Sequence, residues 1–135
     1  FGGHKPNSQK IIATARSAGW HVMLDIAKAA STGPVSLRDL NPDFACVSFY
    51  KLFGSPTGVG SLFVKRTAVD LLLSESKQQR RYVGGGSFNL ILAKQDMSAP
   101  SSGISSLVSG TSNFRGILEL QHGFDEIERL GGMEK

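Results

Sequence analysis

Lys51 stands immediately behind an apolar run, Phe44 to Phe49, between Tyr50 and Leu52-Phe53, with a turn-rich stretch from Gly54 to Gly60 following it. A lysine so placed has two readings. In one, its methylenes lie on apolar neighbours while the ammonium reaches water. In the other, partial desolvation disfavours the charged form and leaves an amine free to make an imine, the Schiff-base chemistry of lysine. Position alone favours the first. Asp25 closes a second short apolar run, His21-Val22-Met23-Leu24-Asp25, and by itself reads as a helix cap or a turn acid.

Taken together, the two residues change the balance. An acid and a lysine at the ends of two apolar strands of one sheet are what pyridoxal 5′-phosphate (PLP) requires. Its aldehyde is held by a lysine as an imine, and its ring nitrogen keeps a proton beside a carboxylate so that the ring can accept electrons from a substrate. Ligands in open α/β sheets bind beyond the strand carboxyl ends, where Asp25 and Lys51 both fall.

The elements that must position these residues follow from periodicity. Ser8 to Ala18 has apolar residues at Ile11, Ile12, Ala15 and Ala18, a helical spacing, with Gly19 as its stop. His21 to Asp25, Phe44 to Phe49 and Ser61 to Lys65 read as buried strands, and Ser36 to Leu40 as one helical turn before Pro42. Thr67 and Asp70 before Leu71-Leu72-Leu73 resemble a capping box with Asp in place of Glu. From Ser74 to Gly110, a segment holding Gly84-Gly85-Gly86, the pattern predicts loop with one or two short strands. Phe114, Ile117, Leu118, Gln121, Phe124 and Ile127 lie at helical spacing behind Ser112 or Asn113 as cap, and Gly131 closes the helix. The order argues for an α/β layer on a parallel or mixed sheet.

Composition limits the alternatives. The chain has 135 residues, is 40% hydrophobic and carries a formal charge of +4, enough for one core and without a fibrous or disordered bias. Arg80-Arg81 behind Lys77 is the only short basic cluster. It lacks the interleaved aromatics of a single-strand groove, so no nucleic-acid partner is expected. Gly54 to Gly60 has neither the Gly-x-x-x-x-Gly-Lys-Ser/Thr nor the Gly-x-Gly-x-x-Gly spacing of a nucleotide loop. His4, His21 and His122 are far apart and have no cysteines at zinc spacing, so no metal is assigned. No apolar run reaches the roughly 18 residues that cross a bilayer. The single cysteine, Cys46, lies in an apolar run and suits a reducing, cytoplasmic setting.

The motifs Met23-Leu24-Asp25-Ile26-Ala27-Lys28, Asn41-Pro42-Asp43-Phe44 and Ser48-Phe49-Tyr50-Lys51-Leu52-Phe53-Gly54-Ser55-Pro56-Thr57-Gly58-Val59-Gly60 are similar in order and spacing to the class V aminotransferase and cysteine desulfurase family. The Ser-Phe-Tyr-Lys and Pro-Thr-Gly form resembles its molybdenum cofactor sulfurases. Tyr82 to Ser87, Ser109-Gly110-Thr111 and the segment from Phe114 to Asp125 extend the likeness over nearly the whole chain. The resemblance implies part of the large PLP-binding domain of fold type I, a mostly parallel sheet flanked by helices, occupying residues 1–135. It implies Lys51 as the Schiff-base lysine, Asp25 at the pyridine nitrogen, Ser48 at the cofactor phosphate, Tyr50 beside the lysine, and Thr111 reaching the phosphate of a neighbouring subunit in a homodimer.

Two positions depart from the wider family. Tyr50 replaces the histidine of many cysteine desulfurases, as in the sulfurase subgroup, and Lys28 replaces a glutamine or other small polar residue near the cofactor oxygen. Lys28 points either to solvent or to a substrate carboxylate. The implied function is sulfur transfer from L-cysteine to the molybdenum cofactor or its carrier enzymes. The sulfur-accepting cysteine is not expected in this chain, since no cysteine follows Lys51 and Cys46 precedes it within a strand. Beginning Phe1-Gly2-Gly3 without Met, the chain is expected to be a piece that lacks the flanking parts of a longer protein and is inactive in isolation. Another class V enzyme acting on a different amino acid, and a non-catalytic binding module of the same fold, remain alternatives.

Overall fold

In the computed structural model the described residues are 5–79, 88–92, 97–100, 103–108 and 110–133. The chain divides into two compact units, Phe1–Lys65 with Asn113–Lys135, and Arg66–Ser112.

The first unit opens with α1, Ser8–Ser17, capped by the Asn7 side chain, which accepts the Lys10 N–H at 3.0 Å. It ends where Gly19 takes φ +77°, a conformation most side chains resist. A three-stranded sheet follows in the order β1 (Met23–Asp25), β2 (Phe44–Ser48), β3 (Gly60–Val64). β1 runs parallel to β2, and β3 runs antiparallel to it, so the sheet is mixed. Central β2 reads as a strand because its pleat separates two sets of side chains. Ala45, Val47 and Phe49 beyond it are buried, whereas Phe44, Cys46 and Ser48 are half-buried.

Two one-turn helices connect β1 to β2. They are α2, Ala27–Ala30, and α3, Leu37–Leu40, the latter capped by the Ser36 hydroxyl, which accepts the Asp39 N–H. Asn41, left-handed at φ 50°, ends α3, and Asp43 ties the next strand to the first. Its carboxylate accepts the Val22 N–H at 2.8 Å, while the Val22 carbonyl accepts from Asp43 and Phe44 at 3.0 Å. The core centres on Ile26, Val47 and Phe49, with Leu24, Val35, Leu52, Phe53 and Leu120 against it. Burying each of the three central side chains contributes about 1.5–3 kcal/mol.

After β2 comes a third one-turn helix, α4, Tyr50–Phe53. The first unit closes with the long helix of the C-terminal segment, Phe114–Arg129, whose cap is Asn113: its side chain accepts the Gly116 N–H at 3.0 Å. The packed face of this helix is only part of the apolar stripe of the sequence. Phe114, Ile117 and Leu118 are 62%, 50% and 73% exposed, whereas Phe124 of the stripe, 46% exposed, packs on Phe49 and Phe53 together with Gly116, Leu120 and Gly123, which the stripe did not mark. A Cβ at Gly116 would lie 2.5 Å from Val59 Cγ2, and one at Gly123 would lie 2.5 Å from Phe53 Cγ. Two glycines seven residues apart share a helical face and let the backbone close onto these side chains.

In the second unit a 3-10 turn, Arg66–Ala68, buries Ala68 and leads into α5, Val69–Gln79, where the sequence suggested a capping box. The final helix, Phe114–Arg129, is α6. Within the stretch expected to be loop with one or two strands, α5 persists to Gln79, and β4 (Phe88–Leu92) pairs antiparallel with β5 (Met97–Pro100). A second 3-10 turn spans Gly103–Leu107, where the Ser106 hydroxyl donates to the Gly103 carbonyl at 2.6 Å. Arg80-Arg81, Gly84-Gly85-Gly86 and Ser109 lie outside the described residues, as does the Phe1-Gly2-Gly3 start. Among the described residues no helix is long and apolar enough to cross a membrane.

Candidate active site

The parallel pairing of β1 and β2 delivers both chains to one edge of the sheet. Asp25 ends β1 opposite Cys46, and the register continues one step further, Ile26 N–H donating to the Cys46 carbonyl at 2.9 Å. There the backbone turns. Asp25 Oδ1 accepts the Ala27 N–H at 2.9 Å, an Asx turn that starts α2. Its other oxygen, Oδ2, has no hydrogen-bond partner among the described residues, and the side chain lines an open cleft with Lys5, Asn7, Lys28, Thr32 and Asp39.

Ser48 ends β2 at the same edge, and Phe49, Tyr50 and Lys51 leave it in a tight turn rather than as extended strand. Leu52 and Phe53 N–H donate to the Phe49 carbonyl at 2.9 and 3.2 Å, and Gly54 N–H donates to that of Tyr50 at 2.9 Å. Gly54, left-handed at φ 67°, ends the turn. Lys51 and Tyr50 face outward, the Lys51 Nζ 5.8 Å from the centre of the Tyr50 ring. Such a cation–π contact is worth about 0.5–1 kcal/mol at an exposed site. Of the two sequence readings of Lys51, the described residues match the one that position alone favoured: the side chain is exposed, turned away from the apolar run that precedes it.

The glycine-rich stretch has a steric cause. Gly58 lies at φ +112°, and a Cβ at Gly60 would sit 2.7 Å from the Val47 carbonyl oxygen. Gly60 pairs with Ser48, and Phe49 N–H donates to the Val59 carbonyl at 3.1 Å, so the loop folds back alongside the lysine turn. Behind that turn lies an aromatic cluster that the sequence did not reveal. Phe49 and Phe53 stack at 6.2 Å with 5° between their planes, and Phe124 meets both edge-on, at 6.0 and 5.0 Å.

Asp25, Ser48, Tyr50 and Lys51 thus belong to the carboxyl edge of one parallel pair. The cleft lined by Asp25 includes Lys28 but not Lys51, Ser48 or Tyr50. Thr111 belongs to the second unit, where it is exposed. The donor set at the edge is an amine, a carboxylate with one oxygen unpaired among the described residues, and a hydroxyl. These are the groups that an aldehyde, a protonated pyridine and a phosphate ask for, so PLP fits the residues present.

Comparison with known proteins agrees with that chemistry. The profile of the family described as aminotransferase class-V matches residues 2–135. Human molybdenum cofactor sulfurase is 42% identical over 117 residues, which are 85% of this chain and 12% of that protein. Among solved structures, the cysteine desulfurase CsdA of Escherichia coli is 27% identical with a TM-score of 0.72. That of Thermococcus onnurineus NA1 is 25% identical with a TM-score of 0.71. Each alignment covers 93% of this chain and 29% of the other. The chain therefore spans about an eighth of the length of the sulfurase.

Proposed function

The chain belongs to the aminotransferase class-V family, and we propose that it furnishes the lysine, carboxylate and hydroxyl of a PLP site in a protein that moves sulfur from L-cysteine to the molybdenum cofactor. The observation that carries the proposal is the common exit of Asp25 and the Lys51 turn from adjacent parallel strands, with Asp25 Oδ2 unpaired among the described residues. The 42% identity to a molybdenum cofactor sulfurase supports sulfuration as the purpose, and the two cysteine desulfurase structures support L-cysteine as donor.

In this reading the Lys51 amine is the covalent anchor for the cofactor. Asp25 Oδ1 is already committed to the Ala27 N–H, which fixes the carboxyl plane and leaves Oδ2 to hold the proton at the ring nitrogen. The Ser48 hydroxyl, at the end of β2, serves the phosphate, and Tyr50 borders the amine. When bound, PLP supplies an electron sink for bond breaking at the substrate amino acid. A cysteine thiolate of the protein takes the sulfur of L-cysteine as a persulfide. The substrate carbon–sulfur bond breaks with its electron pair left on the carbon side, so alanine is released and no external oxidant is consumed. Cys46 is not assigned that role, because it is held in the middle of β2, the central strand of the sheet, rather than on a loop that could carry sulfur to and from the site.

We further assign Thr111 to the phosphate of a second copy's cofactor, which makes the working protein a homodimer, and place it in the cytoplasm, where a persulfide-forming thiol stays reduced. The test is chemical. PLP added to the complete protein and fixed with borohydride should mark Lys51 in the peptide map, and Lys51→Ala should lose both the mark and the visible band. A mark on any other lysine, with Lys51 unmodified, would overturn the assignment.

A further inference from the structure

We propose that Phe124, brought close by Gly123, is a positioning residue for Lys51: the Gly123-Phe124 step of α6 is the seat that holds the lysine turn in place. The inference rests on Lys51 as the imine-forming amine. A four-residue helix cannot hold itself, because the cost of its first hydrogen-bonded turn is not recovered by propagation. α4 has three backbone hydrogen bonds around it, from Leu52, Phe53 and Gly54, and no side-chain cap. Tyr50 and Lys51 face outward, so neither anchors it.

What brackets the turn is a pair of phenylalanines. Phe49 precedes it, buried in the core, and Phe53 ends it. Their rings stack on each other, and Phe124 stands nearly perpendicular to both, with ring centres at 6.0 and 5.0 Å and planes 80° and 79° apart. This edge-to-face arrangement suits the ring quadrupole and resists sliding. The approach that creates it is allowed by glycine alone, since a Cβ at residue 123 would meet three atoms of the Phe53 ring between 2.5 and 2.8 Å. One turn earlier on the same face, Leu120 packs against the Ile26, Val47 and Phe49 core, and Gly116 lets the helix close onto Val59 in the glycine loop. α6 therefore touches both segments that flank the lysine turn, and Phe124 is the only side chain among the described residues in ring contact with both ends of it.

The experiment uses the complete protein with Phe124→Ala, Phe124→Tyr and, as a control on the exposed side of the same helix, Leu118→Ala. Amide exchange over residues 50–54 reads the turn without any cofactor, and borohydride labelling with PLP reads Lys51 relative to Lys65. Phe124→Ala should speed exchange over 50–54 by roughly tenfold while α1 is unchanged, and lower the Lys51 share of labelling several-fold. Phe124→Tyr should restore both, and Leu118→Ala should move neither. Exchange over 50–54 within about twofold of the parent in Phe124→Ala would overturn the seat, as would an equal rise over α1, which marks general loosening. If the parent protein itself is not labelled at Lys51, the functional assignment fails, and the exchange arm still decides whether Phe124 holds the turn.

Discussion

Asp25 Oδ1 accepts the Ala27 N–H at 2.9 Å while Oδ2 stays free among the described residues, so one carboxylate both builds a turn and presents a charge. The two roles separate by substitution. Asp25→Asn keeps an oxygen for the Ala27 N–H and should change the urea midpoint little. Asp25→Ala removes that acceptor and should cost about 0.5–1.5 kcal/mol. On the proposed assignment of Asp25 to the ring nitrogen, both lose the charge there, so both should weaken PLP binding by about tenfold or more, near 1.4 kcal/mol, in a fluorescence titration. Unaltered affinity in Asp25→Asn would remove Asp25 from the cofactor.

Asp43 works at the opposite end of the same strands and is purely architectural. Its carboxylate, 14% exposed, accepts the buried Val22 N–H at 2.8 Å, and lies 3.9 Å from both Arg16 and His21. Asp43→Ala leaves that N–H without its partner and should destabilise by about 1–3 kcal/mol. Asp43→Asn retains an acceptor and loses only the long charge contacts, so its cost should stay below about 1 kcal/mol. Urea denaturation of the two variants distinguishes the hydrogen bond from the charges.

The elements with a repeating pattern were legible in the sequence, and those without one were not. Ile12 and Ala15 gave α1, and the apolar run Phe44 to Phe49 gave β2 to within a residue. α2 and α4 escaped notice because neither has the side-chain cap that Ser36 gives the equally short α3, and what ends α4 is the left-handed Gly54 rather than any hydrophobic cue. The face of α6 was only partly legible for a related reason. Hydrophobic spacing marks Phe124, which packs on Phe49 and Phe53, but it equally marks the exposed Phe114, Ile117 and Leu118, and the close approach to Phe53 and Val59 depends on the absence of a side chain at Gly123 and Gly116. Of the proposed site, the places of Asp25 at the end of β1 and of Lys51 just beyond β2 were visible in the sequence. The Phe49–Phe53–Phe124 cluster was not, because its third ring comes from a segment far along the chain.

Glu126 and Arg129 form a bidentate pair near the end of α6, at 2.8 and 2.6 Å, and the Arg129 hydrogen bonds hold the Glu126 carboxyl below its ordinary value of 4.5. A depressed carboxyl contributes its share of stability above the unfolded value, and loses it as pH falls through the lower folded value. Carboxyl NMR should therefore place the Glu126 midpoint below 4.5, and Arg129→Gln should return it there. Because both side chains are exposed, added salt should shrink the difference. A midpoint that ignores Arg129→Gln would show the pair to be without consequence in solution.

Gly60 links the stability of the sheet to the site. A Cβ there would lie 2.7 Å from the Val47 carbonyl oxygen, a backbone atom that cannot rotate aside as a side chain can. Relief requires β3 to move off β2 where Gly60 pairs with Ser48, which also strains the Phe49 N–H bond to the Val59 carbonyl at the root of the lysine turn. Gly60→Ala should cost about 1–3 kcal/mol in urea denaturation. It should also speed amide exchange at Phe49, where Gly54→Ala, whose added Cβ meets nothing within 4 Å, should instead act only through its φ of +67° and loosen the far end of α4. Equal exchange profiles for the two variants would show that the loop and the turn do not communicate through the Phe49–Val59 bond.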